Sequence, residues 1–364
     1  MSLTACDAHL RRTDLIAALA PRLDIEWRRR SAPGAVLALA DERLLELADT
    51  AIHARWSGFS PGAAREAIGA AGLNAVCRCS PAYPAELEDL PDPPAVVHVA
   101  GDVDALAPAD RVGIVGARAA SDYGTTVARA LGRGIAAAGV PVVSGLALGI
   151  DSIAHHGALA GGGGRPVAVL AGGADRPYPA RGRRLHDAVR DAGAVVSELP
   201  PGFGVHRWAF VARNRIIAAL STVLVVVEAA ERSGSLTTAD FAAGIGRTVA
   251  AVPGRVTAAT AAGTNGLIRD GAPLVRDTGD VLDLLADVTG ATRAPRPPAP
   301  PARPAGLDAA AHRVLDAVEA GRGTLAELAA TPEHARAVLL VLGRLEAAGL
   351  ITRGFGGRYE RTAT

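Results

Sequence analysis

Val112-Gly113-Ile114-Val115-Gly116-Ala117-Arg118 is the stretch that decides the fold: an apolar run, a glycine turn, then an arginine. The same grammar returns at Ser144-Gly145-Leu146-Ala147-Leu148-Gly149-Ile150-Asp151, which follows the apolar Pro141–Ser144. Arg213-Asn214-Arg215-Ile216-Ile217, Ser233-Gly234-Ser235-Leu236-Thr237-Thr238-Ala239 and Gly263-Thr264-Asn265-Gly266-Leu267-Ile268 continue the series. Strand, small-residue turn and helix, repeated, is how an open parallel sheet gathers backbone N–H groups and helix N-termini on one edge. Such an edge suits phosphate.

Working outward, further apolar runs sit at Pro166–Leu170, Ala194–Ser197, Val223–Val227 and Thr248–Val252. Helical patterns at Thr125–Ala138, Ile153–Ala160, Arg183–Ala192 and Leu236–Ile245 alternate with them. The alternation predicts an α/β fold, a Rossmann-like, doubly wound, mostly parallel sheet. Ala95–Val99 reads as one strand added to it. The pattern of residues 1–72 is helical, with Pro21, Pro33-Gly34 and Ser60-Pro61-Gly62 as punctuation. A helix-hairpin-helix unit there would want Gly-x-Gly, and only Pro33-Gly34 is present. The sheet domain is expected over 73–290, a proline-rich linker over 291–306, and a C-terminal winged helix over 307–364.

A chain of 364 residues, 49% apolar and 21% charged, has material for more than one domain and a large core. Its net charge of +1 excludes a globally basic DNA-coating protein, so any nucleic-acid site is a local patch. The chain has no lysine; every fixed cation is an arginine, whose planar fork suits phosphate and base stacking. Cys6, Cys77 and Cys79 suggest neither a disulfide framework nor a metal set, because Cys77-Arg78-Cys79 has one intervening residue and no second Cys/His pair to complete a zinc site. Asp7, His9, Arg11, Arg12 and Asp14 interrupt the N-terminal segment, and no apolar stretch would span a bilayer. A cytoplasmic protein without a membrane partner is expected.

Gly116 lets the backbone approach a phosphate that Arg118 can close over. A nicotinamide fingerprint would need Gly-x-Gly-x-x-Gly and an acid at the next strand end, whereas Ser144-Gly145 stands there. Asp151 reads as a helix cap or loop brace, and His155 and His156 as packed or exposed histidines. Arg213-Asn214-Arg215, close behind Trp208 and Phe210, could track a phosphate chain while bases stack. The alternative is that one of these arginines pairs with an internal carboxylate. Ser233-Gly234-Ser235, opening a helix after Glu228, offers an anion pocket, and Glu228 itself can fix loop geometry. No Walker motif, zinc signature or nucleophile elbow occurs, so no catalytic residue, cofactor or metal is expected.

In order, Tyr83-Pro84 with Pro91-Asp92-Pro93-Pro94, Gly116-x-Arg118, Ser144-Gly145-x-Ala147-x-Gly149-Ile150-Asp151, Tyr178-Pro179 and Ser197-Glu198-x-Pro200-Pro201-Gly202 resemble the DNA-processing protein A (DprA/Smf) family. Arg213-Asn214-Arg215-Ile216-Ile217-Ala218, Glu228-Ala229 with Ser233-Gly234-Ser235, Val252-Pro253-Gly254 and Gly263-Thr264-Asn265 extend the resemblance. It implies a dimeric, non-enzymatic protein that binds single-stranded DNA and loads the RecA recombinase during natural transformation. The implied DNA-binding set is Gly116, Arg118, Ser144, Gly145, Arg181, Arg213, Asn214, Arg215, Ser233, Gly234, Ser235 and Asn265. Ala117, where the family has serine, and Gly182, where it has asparagine, depart from the pattern. Two rivals stand beside this reading. One is a nucleoside-monophosphate phosphoribohydrolase using Glu228 or Asp240, although its Pro-Gly-Gly-x-Gly-Thr turn is absent. The other is a regulator acting through the winged helix, whose candidate recognition helix balances Glu333 and Glu346 against Arg336 and Arg344.

Overall fold

A computed structural model describes residues 5–30, 36–107, 110–291, 307–319, 322–329, 331–354 and 357–362. Eight strands form one sheet: β1 (Asn74–Cys77), β2 (Val96–Gly101), β3 (Val112–Val115), β4 (Val142–Ser144), β5 (Val167–Val169), β6 (Ala194–Ser197), β7 (Val223–Val226) and β8 (Thr248–Ala251). Their order is β1-β2-β6-β5-β4-β3-β7-β8. From β6 to β8 every neighbouring pair is parallel, while β1 and β2 extend the β6 edge antiparallel. The sheet is therefore doubly wound and mostly parallel, as the sequence pattern predicts.

The chain builds outward from β3 through β4, β5 and β6, then returns to the other side of β3 to lay down β7 and β8. That reversal makes β3/β7 the topological switch point, where turns leave in opposite directions and a crevice opens beyond the strand C-termini. Strands covered on both faces must be apolar throughout, and Val223, Leu224, Val225 and Val226 are each fully buried. One face packs Ile216 and Ile217 of the helix Arg207–Leu220 and Ala239 of the helix Gly234–Gly244. The other packs Leu131 and Ile135 of Asp122–Ala137, Ile150 and Ala154 of Ile150–Gly161, and Val281 of Thr278–Thr289.

Two elements differ from the sequence reading. Asn74–Cys77 is a strand, paired with β2 in the register Cys77↔Val96; four residues are too few to show a period. The helix Arg207–Leu220 buries Trp208, Ile216, Ile217 and Leu220 on different sides, so it carries no amphipathic stripe for pattern reading to find.

The N-terminal helices Asp7–Ala18, Ala20–Arg30, Asp41–Leu45, Thr50–Ser57 and Pro61–Ala70 pack onto the sheet domain. Leu15, Leu19 and Leu44 share a core with Trp208 and Leu199. Asp24 accepts from the Trp208 backbone N–H at 3.2 Å. Met1–Arg293 is accordingly one compact unit and Ala294–Thr364 another. The second unit comprises the helices Ala309–Glu319, Leu325–Leu328 and Pro332–Ala347, then an antiparallel pair, β9 (Ile351–Arg353) and β10 (Tyr359–Arg361). Leu315, Leu342, Leu345 and Ile351 form its core. The expected proline-rich linker and Gly356 of the expected wing lie outside the described residues. Among the described residues no helix is long and apolar enough to cross a membrane.

Because each unit closes its own core, a chain ending at Arg293 should fold alone. Urea unfolding followed by circular dichroism should show one cooperative transition at an unchanged midpoint. A broad transition, or aggregation of the shortened chain, would show that the first unit depends on the second.

Candidate nucleic-acid interface

At the switch point the turn after β3 is held by one buried carboxylate from the end of β7. Glu228 accepts from the Ser121 N–H at 2.9 Å through Oε2 and from the Ser121 hydroxyl through Oε1. Its own backbone oxygen accepts from Ala117 N–H at 2.8 Å. Gly124 lies directly over the carboxylate, where any Cβ would collide with it. Ser121 in turn caps the helix Asp122–Ala137 by accepting from Gly124 N–H at 3.1 Å. The turn is thus pinned at Ala117 and Ser121, and Arg118, Ala119 and Ala120 arch out between them.

The turn after β4 packs against the first. Ile150 N–H donates to the Ala117 carbonyl at 3.2 Å. Gly149 adopts φ +79°, and a side chain there would strike the Ala117 and Arg118 carbonyls. Leu146, buried, also has positive φ, 51°, a conformation that costs a non-glycine residue about 1 kcal/mol or more. Arg213 lies underneath, donating to the carbonyls of Gly145 and Val169 at 2.6 Å each. No side chain fits at Gly145, because the Arg213 guanidinium fills that space. Burial raises the Asp151 carboxyl to about 6, against the pull of Arg213 and the N–H groups of Ala147 and Gly145. Asp151 is therefore the loop brace that its position suggests.

The exposed rim is built from different residues. The Arg118 guanidinium sits 4.9 Å from the Phe210 ring centroid, and Phe210 meets Tyr178 at 5.7 Å, tilted by 58°. Tyr178 is 51% exposed, an unusual position for a tyrosine with no buried task. It belongs to the loop after β5, which also presents Arg176, Arg181, Arg183 and Arg184 to solvent. Arg183 and Arg184 open the helix Arg183–Ala192, and Arg207 opens Arg207–Leu220; neither helix has an acid in its first turn. Cations at a helix N-terminus oppose the helix dipole, a cost that a bound anion would remove.

The structure divides the sequence-derived candidates. Arg118 and Arg181 are exposed, and Gly116 lies half-buried behind Arg118. Ser233 and Gly234 open the helix Gly234–Gly244, with Asn214 half-buried beside them and donating to the Gly234 carbonyl at 3.2 Å. Ser235 is buried and bonded to the Ser233 hydroxyl. The others are engaged internally. The buried Ser144 hydroxyl donates to the Ile114 carbonyl at 2.6 Å. Asn265 fastens Gly254 at both ends of its amide, at 3.1 Å each. Arg213 is 5% exposed, and Arg215 only 2%.

Arg215 is the internal pairing weighed as the alternative for this cluster. Its five N–H donors reach Asp92 Oδ2 at 2.8 Å, Glu198 Oε1 and Oε2 at 2.9 and 2.8 Å, and the carbonyls of Ala212 and Asp92 at 2.9 and 3.0 Å. An arginine has no more to give. Burial alone would lower its affinity for the proton, but Glu198 and Asp92 raise it.

Tyr178, Arg183 and Arg184 are the rim residues that sequence reasoning missed. Pro177 and Pro179 flank Tyr178, and that was the available signal: proline on both sides keeps a residue out of a sheet interior. A second correction concerns the cysteines. Cys6 and His9 meet Cys77 and Cys79, with ligand atoms all within 4.8 Å of one another. The missing pair exists in space, brought there because the helix Asp7–Ala18 begins beside the end of β1. A separate groove of about 650 Å³ is lined by Glu86, Asp89, Asp110, Thr222 and Arg247, an acidic lining ill suited to phosphate.

Arg215→Ala should lower unfolding free energy by about 3–5 kcal/mol, because two carboxylates are left buried without their cation. Arg118→Ala should stay within about 0.5 kcal/mol of the parent. Equal denaturation midpoints for the two variants would contradict this division of the arginines.

Stability should also fall on acidification. Burial lowers His98 and His155 from 6.5 to about 4 each. Between those values the unfolded chain takes up protons that the folded chain refuses, so stability drops as pH falls through the window. Asp151, raised to about 6, works in the opposite direction, gaining stability as pH falls. Among these three groups the two histidines outweigh the aspartate, a net loss on the order of a few kcal/mol between pH 7 and pH 4.5. Urea titrations at both pH values would measure it, and a flat response would show that the imidazoles are not buried as described.

The chain matches the family described as DNA recombination-mediator protein A over residues 74–286. It is 46% identical over 175 residues to a protein named DprA from Mycobacterium tuberculosis, a match covering 48% of this chain and 45% of that one. The chain thus spans about half the length of that curated relative. The X-ray structure of DNA processing protein A from Streptococcus pneumoniae is similar with a TM-score of 0.62 and 30% identity, covering 76% of this chain and 95% of that one. DNA processing protein A from Helicobacter pylori, reported for its single-stranded DNA binding mode, gives a TM-score of 0.54 at 27% identity, over 59% and 96%. With the match to the family spanning the whole sheet, from β1 to the helix Thr278–Thr289, this chain is a member of the DNA recombination-mediator protein A family.

Proposed function

We propose that the protein binds single-stranded DNA across the C-terminal edge of its parallel sheet and does no chemistry on it. The observation that carries this reading is the contact of exposed Arg118 and exposed Tyr178 with half-buried Phe210, beside the arginine-rich loop after β5. An aromatic face with a cation against it offers a base a stacking partner and its phosphate a charge. Reading a duplex would call for an element that enters a groove, and this rim is a set of short loops. The single-stranded DNA binding reported for the H. pylori relative supports the same ligand.

Handing the strand to a RecA-type recombinase, acting as a dimer and working in the cytoplasm belong to the proposal through the family alone. The phosphoribohydrolase rival is weakened by Glu228. Both of its carboxylate oxygens are bonded to Ser121, so its work is to hold a turn.

Titration of the full chain with labelled single strand, duplex and nucleoside monophosphate tests the proposal. Single strand should bind tightest, with log K falling against log salt by roughly 0.7 per phosphate contact. Arg118→Ala should weaken it by about 1–3 kcal/mol, and Tyr178→Ala by about 1–3 kcal/mol through lost stacking. Equal affinity for duplex, or release of free base from a monophosphate, would overturn the reading.

A further inference from the structure

Cys6, His9, Cys77 and Cys79 form a cluster that the DNA rim does not use, and their chemistry is that of a metal site. Cys6 occupies the N-cap of the helix Asp7–Ala18, yet its side chain caps nothing. Serine, threonine, aspartate or asparagine is the usual residue there, because an oxygen can accept from the first turn. A thiol in that place gives up this stabilisation. His9, three residues on, brings Nδ1 to 3.3 Å from the Cys6 sulfur and 3.8 Å from the Cys79 sulfur. Cys77 ends β1, is buried, and accepts the Cys6 backbone N–H on its sulfur at 3.4 Å. Tetrahedral zinc with Zn–S near 2.3 Å and Zn–N near 2.0 Å sets neighbouring ligand atoms about 3.5–3.8 Å apart. The four ligand atoms, one from each residue, already lie within 4.8 Å of one another.

We propose that these four residues bind one zinc ion, a Cys3His structural site that staples the first helix to the β1 edge of the sheet. Each thiol releases its proton to solvent as its sulfur binds, and His9 donates the Nδ1 lone pair, so no redox partner is needed. Three thiolates and an imidazole select zinc over magnesium or calcium, which prefer oxygen. The entry path is on the Cys79 side, since Cys79 is exposed while Cys77 is buried. Such a staple joins positions about seventy residues apart in sequence, which fixes the N-terminal helices to the sheet when metal is bound.

The full chain, purified under reductant without chelator, should carry one zinc per molecule by elemental analysis. Replacing zinc with cobalt should give the visible bands and sulfur-to-cobalt charge-transfer absorption of a tetrahedral thiolate site. Cys79→Ser changes an exposed side chain and should keep the fold by circular dichroism, while zinc affinity against a chromophoric chelator falls roughly tenfold or more. Chelation should lower the thermal midpoint of the parent and leave that of Cys79→Ser nearly unmoved. Metal-free parent protein, an octahedral cobalt spectrum, bound iron in place of zinc, or a mass two hydrogens light from a Cys6–Cys77 or Cys6–Cys79 disulfide would each overturn the proposal.

Discussion

The contact on which the proposed DNA-binding edge depends is the bond between Glu228 and the turn that follows β3. A doubly wound sheet brings the ends of β3 and β7 side by side but does not by itself shape the loops beyond them. Glu228, buried at the end of β7, supplies that shape: its carboxylate holds Ser121 and its carbonyl holds Ala117. A buried carboxylate is tolerable only when its oxygens are satisfied, and here the satisfaction and the loop geometry are the same set of bonds. Gly124 completes the device by leaving room for the carboxylate. The second turn then locks onto the first through Ile150 and Gly149. Arg118 projects from a turn that hydrogen bonds hold on both sides, at Ala117 and at Ser121.

A chain whose every fixed cation is arginine uses that one side chain in opposite ways. Arg215 is an internal keystone, its planar fork filled by two carboxylates and two carbonyls. Arg213 is a buttress under the Ser144–Gly149 turn. Arg118, Arg181, Arg183 and Arg184 face solvent. Burial separates these roles. A cation removed from water requires close partners, whereas one at a rim keeps its charge available to a ligand. The +1 net charge is consistent with a confined basic edge and acidic residues elsewhere, including the groove lined by Glu86, Asp89 and Asp110.

Much of this fold was legible in the sequence because a parallel sheet writes itself in uninterrupted apolar runs. The apolar runs Val112–Val115 and Ala194–Ser197 coincide with strands to the residue, and the apolar run Ala95–Val99 marks an added strand, although nothing in it shows that the strand pairs antiparallel. Asn74–Cys77 was not legible, since a four-residue edge strand has no period to detect. At the site, composition located the turns but not the direction of side chains. Arg213-Asn214-Arg215 looked like a basic cluster, yet a helix turns by about 100° per residue, so neighbours in sequence face different surroundings. Asn265 and Ser144 looked like donors to a ligand and are donors to the chain itself. The Cys6–His9–Cys77–Cys79 cluster was invisible for a related reason: its halves lie far apart in sequence and meet only through tertiary packing.

Photocrosslinking of a bromodeoxyuridine-substituted single strand to the full chain, read by peptide mass mapping, addresses the central claim most directly. Adducts on the peptides carrying Tyr178 and Phe210, lost when Tyr178→Ala and Arg118→Ala are combined, are the result this account predicts. Adducts concentrated in Ala309–Arg361, or along the Glu86–Arg247 groove, would contradict it and move the DNA path away from the switch point.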